Sequence, residues 1–227
     1  MALKDDLETE VKKIFREQWT TRNGTVVPES GDLKLANDAV KLQGTVLYAD
    51  LDGSTNLVDT KSAPFAAEVY KSYLHCAAKI IRSEGGSITA YDGDRIMAVF
   101  IGDSKNTNAA RTALKINYAV EKVINPSMKS IYKSTDYAVK QVVGVDTCEL
   151  FIARTGIRGS NDLVWVGRAA NYAAKMDALS PLYPVRITKS VYDSLNSSVK
   201  TPYGTTIWRA DIWNGTTIYK SDYEWTV

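Results

Sequence analysis

Apolar side chains recur at three-to-four spacing at Leu7, Val11, Ile14 and Phe15, ahead of Gln18-Trp19, with charges between them. This spacing predicts an amphipathic helix over residues 4–20. Residues 20–44 are polar, contain Pro28 and Gly31, and read as an extended arm. The pattern then changes. Val46 to Leu51 is a short apolar run, the mark of a buried strand. Phe65, Val69, Tyr73, Cys76 and Ile80 line one face of a predicted helix that Gly85-Gly86 stops. Ser87–Tyr91 and Ile96–Ile101 read as strands joined through the turn Asp92-Gly93-Asp94. A second helix is expected from about Asn106 to Ile124, closed by Pro126. Strands at Val139–Val145, Leu150–Ala153 and Leu163–Val166 follow, then a helix to about Leu179. Val185–Thr188, a short helix at Lys189–Leu195, and strands near Ile207–Trp213 and Thr217–Tyr219 complete the outline. The order strand, helix, strand, strand, helix, strand is the βαββαβ arrangement of ferredoxin-like and palm folds, an α+β class. Here it carries an N-terminal helical arm and a C-terminal β-hairpin.

Composition narrows the function classes. With 227 residues, 44% hydrophobic and 24% charged, the chain suits one substantial domain plus an arm. A net charge of +2 and scattered lysines give no basic patch for nucleic acid. No run approaches the roughly 18 apolar residues of a membrane span. The acidic start Met1-Ala2-Leu3-Lys4-Asp5-Asp6 lacks an apolar signal region, so a cytoplasmic location is expected. Cys76 and Cys148 lie in apolar patterns and read as buried thiols. His75 is the single histidine, which leaves little for a Ser-His-Asp hydrolase or a multi-histidine zinc site.

Two carboxylates stand at strand edges, Asp50 in Val46-Leu47-Tyr48-Ala49-Asp50-Leu51 and Asp94 in Asp92-Gly93-Asp94-Arg95. A charge at the edge of a buried strand is costly unless something compensates it. Two such costs in one βαββ unit point to a shared divalent-metal site. Phosphoryl transfer depends on positioned cations more than on protein acids and bases. Two Mg²⁺ or Mn²⁺ ions about 4 Å apart would serve, and such hard ions take carboxylate oxygens. The backbone carbonyl of Leu51 offers a further oxygen. Asp52 and Asp92 lie two residues from these ligands, hence on the same strand face, and remain alternatives. Gly53, Ser54 and Thr55 follow Asp50 into a helix, where exposed amides would face a triphosphate.

These segments resemble the class III nucleotidyl cyclases. Tyr48 to Thr55 is similar to that family's aromatic-x-Asp-x-x-Gly motif, and Gly93 to Ala98 to its Gly-Asp strand. Gly144-Val145-Asp146-Thr147 resembles its Gly-Ile-His-Thr-Gly strand, and Gly167 to Lys175 its Gly-x-x-x-Asn-x-x-x-Arg helix. The resemblance covers about Thr45 to Ser190. It implies a catalytic domain over 45–227 preceded by a helix and arm over 1–44. It implies that Asn171 orients the ribose and Lys175 stabilises the transition state; the two are four apart and share a helix face. It also implies a head-to-tail homodimer in which Asp50 and Asp94 of one subunit meet Asn171 and Lys175 of the other.

The departures sharpen the expectation. The family's purine-reading positions hold Ala90 and Val164, and its transition-state arginine is Lys175. Its phosphate-binding lysine falls at Trp213-Asn214-Gly215, with Arg209 as a candidate substitute. These losses, and Tyr48 as a base-packing group, resemble the pyrimidine cyclases of bacterial Pycsar anti-phage systems. Those make cyclic UMP or cyclic CMP, which acts on a separate effector. UTP is favoured over CTP as substrate. An adenylate or guanylate cyclase and a non-catalytic nucleotide sensor are the alternatives. A diguanylate cyclase does not fit, because its Gly-Gly-Asp/Glu-Glu-Phe turn is absent.

Overall fold

In the computed structural model, which describes residues 2–227, the elements are as follows. Helix α1 spans Leu3–Arg16, followed by strands β1 (Thr20–Asn23) and β2 (Asp38–Leu51). Helices α2 (Ser54–Thr60) and α3 (Ala63–Ser83) lead to the hairpin β3 (Ser87–Asp92) and β4 (Arg95–Phe100). Helix α4 (Lys105–Ala119) passes through a π-helical turn, Val120–Ile124, into α5 (Asn125–Ile131). Strands β5 (Gln141–Ile157) and β6 (Ser160–Val166) precede α6 (Arg168–Met176). Strand β7 (Val185–Thr188), helices α7 (Lys189–Asp193) and α8 (Ser197–Lys200), and the hairpin β8 (Arg209–Trp213) and β9 (Thr216–Ser221) complete the chain.

The chain forms two compact units: residues 1–43 with 149–167, and residues 44–148 with 168–227. The larger unit carries the strand order β3-β4-β2-β5-β7-β9-β8. Strand β4 runs antiparallel to β2 with Ala49 opposite Ile96, and antiparallel to β3 with Asp92 opposite Arg95. Strand β7 is parallel to β5. The core packs Leu47, Ala49, Ile96 and Ala98 of the sheet with Val69, Tyr73, Ile81 and Ala113 of the helices, all at most 4% exposed. Burial on this scale is the main term holding the layers together. Gly144 of β5 sets how closely α6 approaches. A Cβ there would lie 2.2 Å from the Ala173 carbonyl oxygen, so the helix rests on bare backbone.

In the smaller unit, β1 pairs parallel with β2, and β6 antiparallel with β5. Trp19 meets Phe151 edge-on at 5.0 Å. The Arg22 guanidinium pairs with Asp38 at 2.7 Å. The side-chain amide of Asn37 donates to the carbonyls of Ile14 and Glu17, tying down the end of α1. Helix α1 buries no residue and leaves Leu3, Leu7, Val11, Ile14 and Phe15 exposed.

Two segments differ from the sequence expectation. Part of the stretch read as an extended arm is strand: β1 covers Thr20–Asn23, and β2 begins at Asp38. Residues Ala39, Val40 and Leu42 are buried there, although Lys41 and Gln43 interrupt the apolar run. Strands expected separately at 139–145 and 150–153 are the single strand β5. Its polar middle hid this, because buried Asp146 is neutralised by partners remote in sequence.

Candidate active site

Asp50 is the penultimate residue of β2, and Asp94 stands in the two-residue turn between β3 and β4. Gly93 makes that turn possible, with φ +61 that an L side chain resists. The Ala49–Ile96 register brings the end of β2 beside the start of β4. The two carboxylates therefore face each other's charge. Burial, then the Asp94 charge, push the Asp50 carboxyl up to about 6; Arg95 and the Leu51 N–H offset part of this. One Asp94 oxygen, Oδ2, is buried with no hydrogen-bond partner.

The sequence reading missed a third acid. Asp177 follows α6 directly, and its side chain is 2% exposed. Burial, then the Asp50 charge, push its carboxyl up to about 7, with Arg95 opposing. Its Oδ2 also lacks a hydrogen-bond partner. The signal was available in the sequence: Asp177 lies four residues after Ala173 and one after Met176, both fully buried. Arg95 pairs with this third acid. Its guanidinium is 3.7 Å from Asp177 and 3.4 Å from exposed Asp92, and sits over the Tyr48 ring at 5.6 Å. Fully buried Tyr73 brings an unpartnered hydroxyl from α3 into the field of Asp50, Asp177 and Asp94.

An unpaired, mutually repelling pair of hard oxygen donors, one of them orphaned, fits a divalent cation. Among the described residues, no group of three or more His, Cys, Asp and Glu side chains is arranged to hold a metal. A cation here relies on Asp50, Asp94, a backbone carbonyl such as that of Leu51, and substrate oxygens. Asp52 engages through its backbone, its N–H donating to the Lys140 carbonyl at 2.9 Å.

Helix α6 is seated by charge as well as by contact with Gly144. Arg168 forks onto fully buried Asp146, Nε at 3.0 Å and Nη2 at 3.2 Å, and the Thr188 hydroxyl donates to the same carboxylate at 2.5 Å. Tyr172 meets Trp213 edge-on at 5.2 Å. Ala169, Ala173 and Met176 face inward, while Asn171 and Lys175 are exposed. The charges acting chiefly on Asp50 are Asp94, Arg95 and Asp92.

The remaining positions fall as follows. Tyr48 is half-buried, with Arg95 over one ring face. Ala90 sits opposite Met97 in the β3–β4 ladder, and Val164 is 39% exposed on β6. Gly53 caps α2 in a left-handed conformation with open space where a side chain would stand, and Ser54 and Thr55 begin that helix. Arg209 is engaged in its own chain: Nη1 donates to the Tyr183 hydroxyl at 2.6 Å. His75 is exposed on α3. Cys76 and Cys148 are half-buried rather than buried.

Residues 40–213 match the Adenylate and Guanylate cyclase catalytic domain family. The chain belongs to the class III nucleotidyl cyclases. It is 52% identical over 231 aligned residues to a protein of Xanthomonas perforans named uridylate cyclase, covering 100% of both chains. A protein of the same name from Rhodovulum sp. (strain MB263) is 37% identical, covering 98% of this chain and 97% of that one. Among solved structures, the adenylyl cyclase CyaB from P. aeruginosa superposes with a TM-score of 0.69 at 18% identity. That match covers 81% of this cyclase and 95% of the other chain. Among the described residues, no helix of this cyclase is long and apolar enough to cross a membrane.

The raised carboxyls have a measurable consequence in the metal-free cyclase. Asp50 and Asp177 hold protons more tightly folded than unfolded, since both sit above the ordinary carboxylate value. Their contribution is therefore largest near pH 4 and is lost as pH rises through about 7, by an amount of the order of a few kcal/mol. In chelator, the urea midpoint is expected to fall from pH 5 to pH 8, and less steeply in Asp177→Asn. A midpoint that rises over this range contradicts the electrostatics described.

Proposed function

We propose that this cyclase converts UTP to 3′,5′-cyclic UMP and pyrophosphate as a homodimer with two divalent cations at each site. The observation that carries the substrate is full-length similarity to relatives named uridylate cyclase, 52% and 37% identical. Ala90 and Val164 agree with it, because neither side chain hydrogen-bonds a purine edge. Product release to a separate effector, as in anti-phage signalling, completes the reading.

The reaction forms a bond between the ribose 3′-oxygen and the α-phosphorus and breaks the bond from that phosphorus to the β-phosphate bridge. The hydroxyl loses its proton, and pyrophosphate leaves. Asp50, Asp94 and the Leu51 carbonyl would hold the cations, whose chemistry when bound would be to activate the 3′-oxygen and neutralise the departing charge. Amides of Gly53, Ser54 and Thr55 receive phosphate oxygens, with Arg209 as the candidate base once released from Tyr183. Asn171 orients the ribose, and Lys175 meets charge building on the α-phosphate. Lysine there retains the charge but lacks the two-pronged arginine geometry. Exposure of Asn171 and Lys175 supports their action in the partner's site. Tyr48, half-buried beside Asp50, packs the base.

The test is incubation of purified protein with Mn²⁺ and each of ATP, GTP, CTP and UTP, with products identified by mass. Cyclic UMP is expected to dominate by at least about tenfold. Preferential turnover of ATP or GTP overturns the proposal, and binding without pyrophosphate release marks a sensor.

A further inference from the structure

Arg95 follows a proposed metal ligand in sequence and is the cation that the acid cluster attracts. Its ion pairs within 4 Å are with Asp177 and Asp92, and none reaches Asp50 or Asp94. Asp177 is nearly fully shielded from water, whereas the Asp92 side chain is 80% exposed, so Asp177 is the stronger hold. A guanidinium released from Asp177 has a ready alternative in the Asp50–Asp94 pair, which offers an unsatisfied oxygen in Asp94 Oδ2. An arginine seated there would take the place of a metal.

We propose that Asp177 is a positioning residue that tethers Arg95 away from Asp50 and Asp94 and so keeps those carboxylates open to divalent cations. The inference rests on the metal site proposed above. Asp177 acts through Arg95 and touches neither cation nor nucleotide. Its place just beyond α6 gives that helix two duties. Its outer face carries Asn171 and Lys175, and its end guards the metal site of its own chain.

The test is a double-mutant cycle read by Mn²⁺ binding, using the electron paramagnetic resonance signal of free Mn²⁺ with 3′-deoxy-UTP present. Asp177→Asn is expected to weaken Mn²⁺ binding at least about tenfold, since a charge-assisted contact must break for the metal to enter. Asp177→Glu, which can still reach Arg95, is expected to bind near wild type and serves if the asparagine variant fails to fold. The deciding arm is Arg95→Gln. In that background Asp177→Asn is expected to change nothing, because there is no guanidinium left to tether. Equal weakening in both backgrounds would mean that Asp177 acts only by through-space charge, and overturns the proposal. So does unchanged binding in Asp177→Asn. Failure of wild-type protein to bind Mn²⁺ at all removes the metal site itself and the tether with it.

Discussion

Asp50→Ala and Asp94→Ala are each expected to lower cyclic nucleotide formation by at least about a thousandfold, the scale of losing a principal transition-state electrostatic contact. Neither residue has a structural partner whose loss would unfold the protein. Asp94 keeps a buried oxygen unsatisfied, and burial, then the Asp94 charge, raise the cost of ionising Asp50. Removing one relieves that repulsion, so the metal-free melting temperature is expected to hold or rise while activity vanishes. A stability gain paired with an activity loss is the signature of a site built at the expense of the fold. Pyrophosphate release and a thermal melt on the same preparations check both halves. Retained turnover in both variants would refute the metal assignment.

Mixing two dead variants is expected to restore activity. Asp50→Ala spoils the acidic half-site of its own chain, and Lys175→Ala the basic half-site. If the site is shared between subunits, a mixed dimer holds one intact site and one doubly damaged site. Random exchange makes about half the dimers mixed, so recovery approaches roughly one quarter of wild-type activity. The geometry favours this outcome. Lys175 is exposed on α6, while Asp177, two residues on, is buried against the acids of its own chain. A mixture as inactive as its components would place both halves within one subunit.

Much of the catalytic unit was legible in the sequence because its signals are local. The run Val46 to Leu51, the Asp92-Gly93-Asp94 turn and the helix from Gly167 each declare themselves within ten residues. Asp50 and Asp94 could be paired because hairpin connectivity leaves their strands few ways to meet. Asp177 escaped because an acid after a lysine at a helix end looks solvated, and only its register with Ala173 and Met176 says otherwise. Strand β5 looked broken because Asp146 is charged, and its compensation comes from Arg168 and Thr188, twenty-two and forty-two residues away. Residues 38–42 looked like an arm because their neighbours are polar, although Asp38 itself is paired with Arg22. In each case a long-range ion pair reversed the meaning of a polar residue.

The seating of α6 on Gly144 separates location from chemistry. The inner face is fixed by small side chains meeting naked main chain, so it tolerates almost no change. The outer face bears none of that constraint. Substitutions at Asn171 and Lys175 can therefore change what that face offers without shifting the platform beneath them.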